Sequence, residues 1–123
     1  MQIEREMMRG AGPVAVLKLL ERGEMYGYEL VEALEKRSGG VLAMGQSTLY
    51  PMLYNLEAKG LVGSRERESD AGRRRRYYRL TAKGKKRLAD DCARWGAMVE
   101  AMTALGVVDG GAVQRGVVNG GGA

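Results

Sequence analysis

The segment at residues 45–80 constrains the fold most, because a helical pattern is followed at once by two alternating polar runs. Its first part, GQSTLYPMLYNLEAKGL, has the apolar spacing of a helix, and SDAG supplies turn residues between the two runs. The second run contains four consecutive arginines, Arg73, Arg74, Arg75 and Arg76. A helix followed by a basic β-hairpin is a candidate unit for contacting nucleic acid, and the rest of the chain should supply its scaffold.

Positive charge is concentrated in this hairpin. Seven arginines less Glu66, Glu68 and Asp70 give residues 65–79 a net charge of +4, out of +5 for the whole chain of 123 residues. An excess of arginine favours an anionic partner. Arginines also protect an edge strand from aggregation, but four in a row exceed that need. We therefore predict that the hairpin tip contacts DNA phosphates or the minor groove.

The composition argues against most catalytic and metal-binding classes. The chain has no histidine, which removes the commonest general base and the commonest transition-metal ligand. Its single cysteine, Cys92, cannot form an intramolecular disulfide or a cysteine-based metal site. No paired-carboxylate site or phosphate-binding glycine loop is apparent, so we expect no enzyme activity, no cofactor and no metal. Without a membrane-length apolar run or a signal-peptide core, the protein is expected to be soluble and cytoplasmic.

Two scaffold helices are predicted before the basic segment. Residues 1–12 are expected to form either a short helix or a frayed terminus, and Pro13 suits the first turn of a helix that ends at Gly23. The run YELVEALEKRSGG repeats the apolar spacing and stops at its glycines. Residues 41–44 are too few for a helix, so they are predicted to form a small strand or an extended connector.

The third helix is predicted to begin near residue 45, with Ser47 as its cap, and to end at the Lys-Gly pair at residues 59–60. At helical spacing Leu49, Leu53 and Leu56 share the inward face. The outward face carries few charges and includes Ser47, Thr48, Pro51, Tyr54 and Asn55. Such a face suits hydrogen bonds with base edges or phosphates, the alternative being an ordinary solvated helix face.

The hairpin is predicted to pair residues 61–68 with residues 73–80 as antiparallel strands. In the second strand Tyr78 and Leu80 should point inward, because alternate residues share a face. Arg73, Arg75 and Tyr77 then lie on the other side.

A fourth helix is predicted over residues 82–105, with Thr81 as its cap. It carries an apolar stripe at 4,3,4,3 spacing, formed by Leu88, Cys92, Trp95, Val99 and Met102. We predict that this stripe forms a dimer seam, the alternative being that it packs on its own chain. Cys92 is interpreted as a small buried hydrophobe rather than a redox sensor. Trp95 is interpreted as a dimer anchor, or as the wall of a pocket for a flat aromatic ligand.

The tail at residues 106–123 contains an imperfect ten-residue repeat, GVVDGGAVQR followed by GVVNGGGA. Ordering so many glycines costs much entropy for little buried area, so the tail is predicted to be disordered. The whole pattern predicts a mainly α fold, a winged helix-turn-helix at residues 13–81 with three helices and a two-stranded wing. The long C-terminal helix at residues 82–105 is its predicted dimerisation element.

Three motifs also resemble the PadR family of transcriptional regulators: MYGYEL, STLYPMLYNLEAKGL and GRRRRYYRLTAKG. The resemblance covers about residues 13–104, and the short fourth helix is similar to the family branch with a single C-terminal helix. It implies a homodimeric repressor that binds a near-palindromic operator in double-stranded DNA. By this resemblance, the start of the recognition helix is matched by Ser47, Thr48, Tyr50 and Pro51, and the wing by residues 73–78.

The resemblance further implies a small aromatic effector near the dimer axis, at Trp95 and Val99. Tyr28 matches a position that lies either near the DNA backbone or in the helix packing. Gly45 and Gln46 depart from the serine-proline pair that often opens the recognition helix, which weakens the capping prediction. Two other functions remain open from the residues alone, a non-specific architectural DNA-binding protein and a winged-helix module for protein contacts.

Overall fold

The computed structural model describes residues 1–110. The tail predicted to be disordered spans residues 106–123, and its residues 111–123 lie outside the described residues. Within them are four helices and three strands: α1 (Arg5–Leu20), β1 (Met25–Tyr26), α2 (Gly27–Arg37), α3 (Gln46–Ala58), β2 (Val62–Glu68), β3 (Arg74–Leu80) and α4 (Ala82–Ala104). The mainly α winged helix-turn-helix is therefore confirmed. The described chain divides into two units, Met1–Ala89 and a second that begins at Asp90, and α4 runs through the boundary.

The first helix begins at Arg5, so the prediction that Pro13 lies in its first turn was wrong. Proline lacks the N–H that bonds to the carbonyl four residues earlier, which makes a helix interior an unfavourable place for it. Tertiary packing outweighs this cost. Met8 is buried in the core, and Gly12 lies so close to the tip of the Met52 side chain of α3 that this tip would have to move to admit a Cβ.

The sheet is antiparallel, with the order β1-β3-β2. The hairpin of β2 and β3 has the predicted strands, each shorter by its first residue, with Glu66 opposite Arg76. The two-residue strand β1 was missed, because the motif GEMYG indicates a turn. It pairs Tyr26 with Tyr77 and adds a third strand to the predicted two-stranded wing.

Residues 41–44 form a turn and a connector rather than a strand. The N-terminal residues hold this connector in place. The Ile3 N–H donates to the Val41 carbonyl at 3.2 Å, and the Gln2 amide donates to the Ala43 carbonyl at 2.6 Å. The helix-turn-helix of α2 and α3 is thus braced by the chain that precedes α1.

The predicted inward face of α3 is confirmed, since Leu49, Leu53 and Leu56 are all buried in the core. The cap of α3 is Gly45, whose carbonyl accepts from the N–H groups of Thr48 and Leu49. The prediction that Ser47 caps the helix was therefore wrong. Ser47 lies inside the first turn, where its hydroxyl cannot substitute for a residue that precedes the helix.

The beginning of α4 packs closely on Leu61, in the connection between α3 and β2. The Thr81 hydroxyl accepts from the Gly84 N–H at 2.9 Å, which confirms the predicted cap. Gly84 has no room for a side chain, because a Cβ there would meet the Leu61 carbonyl. Leu88, two turns into α4, is only 2% exposed and belongs to the core of Met1–Ala89. Leu88 is therefore unavailable to the predicted dimer seam.

Candidate nucleic-acid interface

The outward face of α3 is exposed along its whole length. The side chains of Ser47, Thr48, Pro51 and Asn55 are exposed, and Tyr54 is 73% exposed. Within residues 1–110 no hydrogen bond is made by the side-chain hydroxyl or amide groups of this face. Hydroxyl and amide groups both donate and accept, so the face offers unused hydrogen-bonding capacity to a partner.

The side of the wing that faces the core is tied to α3 by a chain of polar contacts. The Arg76 guanidinium donates to the Ser64 hydroxyl at 3.0 Å and lies 3.8 Å from the Glu66 carboxylate. Ser64 in turn donates to Glu57, near the end of α3, at 2.5 Å. Arg73 and Arg74, at the tip of the wing, also belong to the predicted DNA-binding set. Their side chains are exposed and, unlike that of Arg76, have no partner among the described residues.

The other side of the wing is organised around Glu24. This carboxylate accepts from Arg67 Nε at 2.7 Å and from Arg65 Nη2 at 3.2 Å. The hydrogen bond from Arg65 lowers the pKa of Glu24, helped by the bond from Arg67 and by the charge of both arginines, while desolvation opposes the shift. Glu24 was not singled out from the sequence, because it is separated from these arginines by about forty residues.

Four side chains continue this arrangement as a stack. The Arg67 guanidinium lies 3.6 Å from the centre of the Tyr77 ring, and Tyr77 packs edge-to-face on Tyr26 with ring centres 5.6 Å apart. The Arg75 guanidinium lies 4.1 Å from the centre of the Tyr26 ring. Tyr77, a predicted DNA contact, is therefore buried at 6% exposure, and its role in the structure is to support the wing.

A pocket of about 600 Å³ lies between β3 and the beginnings of α2 and α3. Its lining consists of Tyr26, Gly27, Tyr28, Gln46, Tyr50, Arg73, Arg74, Arg75 and Arg76. The ring of Tyr50 fills the space where a side chain on Gly27 would stand. The pocket brings the predicted Tyr50 and wing arginines together, and it adds Gln46, which no sequence pattern marked as a contact.

Beyond Leu88 the apolar stripe of α4 is only partly covered. Cys92 is exposed, so the prediction that it is a buried hydrophobe is wrong for the single chain. Trp95 is 41% exposed, whereas Val99 and Met102 are half-buried.

Among residues 1–110, none of the helices combines the length and the apolar content that crossing a membrane requires. The same residues contain no group of three acidic or cysteine side chains placed to hold a metal ion.

Residues 16–90 match the family described as the transcriptional regulator PadR-like family. A transcriptional regulator of Mycobacterium tuberculosis is 38% identical to this chain over 87 residues, which are 71% of this chain and 78% of that protein. A PadR family transcriptional regulator from Eggerthella lenta has a similar crystal structure, with a TM-score of 0.70 and 33% identity. The similarity covers 81% of this chain and 85% of that one.

A further similar structure contains DNA. It is the crystal structure of Bacillus subtilis PadR in complex with operator DNA, with a TM-score of 0.59 and 29% identity. The similarity covers 65% of this chain but only 44% of that one, so the Bacillus protein is considerably longer.

Proposed function

Because the chain belongs to the PadR-like family of transcriptional regulators, we propose that it is a homodimeric repressor that binds a near-palindromic operator in the cytoplasm. The family is one of regulators and not of enzymes. The observation that carries the proposal is the unused hydrogen-bonding face of α3 beside the unpaired arginines of the wing tip.

The two surfaces suit different parts of DNA. On α3, Ser47, Thr48, Tyr54 and Asn55 present small polar or aromatic groups without a repelling carboxylate among them, as a helix in the major groove requires. At the wing tip, Arg73 and Arg74 supply cations for phosphates. We propose that α3 reads the bases while the wing supplies most of the salt-dependent affinity. The exposed Tyr50 and Pro51 lie on the same helix and complete the proposed contact surface.

Dimerisation is proposed from the second half of α4. Its exposed Trp95 lies on the same stripe as Cys92, Val99 and Met102, and an apolar stripe of this kind is stabilised by a second helix. In a dimer, two copies of α3 would enter successive major grooves, about 34–36 Å apart. We further propose a small aromatic effector near Trp95 and Val99, which would release DNA only if it binds one spacing of the two copies better than the other.

DNA binding can be tested by fluorescence anisotropy with the chain's own promoter and with scrambled DNA at several salt concentrations. A regulator should prefer the promoter by at least about 1,000-fold. Replacing both arginines in Arg73→Gln/Arg74→Gln should reduce the slope of log affinity against log salt by about 1.8, since each lost phosphate contact contributes about 0.9.

The matched control is Lys36→Gln/Arg37→Gln, which removes the same charge from the last turn of α2. The pocket lies at the other end of this helix. Its salt slope should stay close to that of the wild type. Equal slopes for both double variants would exclude the wing tip from the interface. Equal affinity for promoter and scrambled DNA would support an architectural DNA-binding protein instead, and no binding at moderate salt would favour a protein-interaction module.

A further inference from the structure

We propose that the pocket between β3 and the beginnings of α2 and α3 binds one phosphate group of the DNA backbone, with Arg75 as its main cation. The site rests on the proposed function and deepens it. It adds Tyr28 and Gln46 to the contact surface, and it separates Arg75 from the arginines at the wing tip.

The pocket arises where the short strand β1 ends. Tyr26 is the last residue of β1 and pairs with Tyr77, so residues 74–76 of β3 continue without a β1 neighbour. The chain turns into α2 at Gly27 and leaves a space beside this part of β3. A volume of about 600 Å³ is enough for a phosphate with part of its sugar.

The chemistry of the lining favours an anion. The lining residues include four arginines, Tyr28, Tyr50 and Gln46, whose side chains all carry hydrogen-bond donors, and no acidic residue. Only Arg76 of the four arginines has an acidic partner, Glu66, within the described part of the chain. Tyr28 and Tyr50 are both exposed, so a ligand can reach the pocket from solvent.

Arg75 is held in place before any ligand arrives. Its guanidinium lies on the Tyr26 ring, and that ring packs on Tyr77. Arg67 covers the other ring, Tyr77, and donates a hydrogen bond to Glu24. A guanidinium stacked on a ring keeps the N–H groups at its edge available to another acceptor. Because part of its rotamer freedom is already lost, Arg75 should bind a phosphate at a lower entropic cost than a free arginine.

The position of the pocket identifies the source of the phosphate. Gln46 and Tyr50 belong to the first turns of α3, the helix proposed to enter the major groove. A phosphate bound beside these residues would belong to a strand that borders this groove, and contacts to such phosphates fix the register of a recognition helix. A backbone phosphate of operator DNA therefore fits the site better than a free anion, which would gain nothing from this position.

The test replaces single phosphates of the operator by neutral methylphosphonates and measures binding by anisotropy. In the wild type, one position in each half-site should weaken binding by about 10-fold, the value of a hydrogen bond to a charged group. In Arg75→Gln the same replacement should cost less than 2-fold, because the contact is already absent. In the control Arg37→Gln, at the end of α2 and outside the pocket lining, this position should keep its full cost.

A second variant, Gln46→Ala, keeps the test independent of the wing, since Gln46 lies outside the stack on Tyr26. It should also reduce the cost at that phosphate. Full cost at every position in both Arg75→Gln and Gln46→Ala would overturn the site while leaving the proposed function intact. Failure of the wild type to prefer its operator would overturn the proposed function itself. Titration calorimetry with inorganic phosphate alone, at constant ionic strength, separates the two sources: no binding at millimolar phosphate would support a DNA phosphate, whereas tighter binding that Arg75→Gln abolishes would assign the pocket to a free anion and overturn the assignment to DNA.

Discussion

Two aromatic side chains outside the leucine core have very different surroundings. Tyr77 on the wing is 6% exposed, whereas Trp95 on α4 is 41% exposed. The chain covers Tyr77 with its own Arg67 and Tyr26. Along α4 the neighbours of Trp95 include Met98, which is itself 50% exposed. An apolar pattern therefore shows which side chains are stabilised by burial, but it does not show whether the same chain or a second chain buries them.

The difference has a functional consequence. The wing is complete within one chain, so its arginines can be positioned before DNA binds. The second half of α4 leaves apolar surface in water, which costs about 25 cal/mol for each Å². A second copy that covers this surface would gain stability and would also fix the distance between two recognition helices.

The largest effect is expected from Trp95→Asp. If Trp95 anchors the dimer, a carboxylate in its place should raise the dimer dissociation constant by about 100-fold or more, as loss of an interface hot spot does. Sedimentation over a concentration series would measure this change. Ala97→Asp, an exposed position on the other side of the same helix, is the control and should leave the constant within about 3-fold. The same association state for the wild type and both variants would contradict a seam at Trp95.

The next effect separates two positions of one stripe, Leu88 and Val99. Leu88→Ala should lower the free energy of unfolding by about 3 kcal/mol at every protein concentration, because it leaves a cavity in the core of a single chain. Val99→Ala should lower the melting temperature mainly through dimer dissociation, so its effect should depend on concentration. Thermal unfolding at two concentrations a hundredfold apart would distinguish them. A concentration-dependent loss in Leu88→Ala would contradict its place in the monomer core.

The parts of the fold that depend on neighbouring residues were predictable from the sequence. The hairpin follows from alternation around a turn, and α4 from the Thr81 cap and helical spacing, so the ends of these elements were correct to within one residue. The exposed face of α3 followed from the positions of Leu49, Leu53 and Leu56. In these cases the local pattern and the tertiary structure agree.

The parts that depend on distant residues were not predictable. The two-residue strand β1 is stabilised by Tyr77 and Tyr78, which lie about fifty residues away. The early start of α1 depends on Met8 and Gly12 packing in the core. For the same reason, the sequence revealed the basic charge of the wing but not the hydrogen bonds by which Glu24 holds Arg65 and Arg67.

The smallest effect is expected from Glu24→Gln, which weakens the cover of Tyr77. The pKa of Glu24 lies below its ordinary value of 4.5, because Arg65 and Arg67 stabilise the carboxylate in the folded state. Its contribution to stability is therefore fully present above the unfolded pKa and is lost as pH falls through the lower folded pKa. Since Arg65 is 61% exposed, solvent screening should limit the contribution to about 1 kcal/mol or less at pH 7.

Melting temperatures of the wild type and Glu24→Gln between pH 7 and pH 2.5 would test this brace. The variant should be less stable at neutral pH, and the gap should narrow below about pH 4.5 as the wild-type carboxyl group becomes protonated. Glu21→Gln is the control, because Glu21 makes an exposed ion pair with Lys18 and supports no aromatic stack. A gap that stays constant down to pH 2.5 would mean that the charge of Glu24 does not hold the wing. The burial of Tyr77 would then depend on the packing of Arg67 alone, and the stability of the wing would depend less on pH than the contacts of Glu24 indicate.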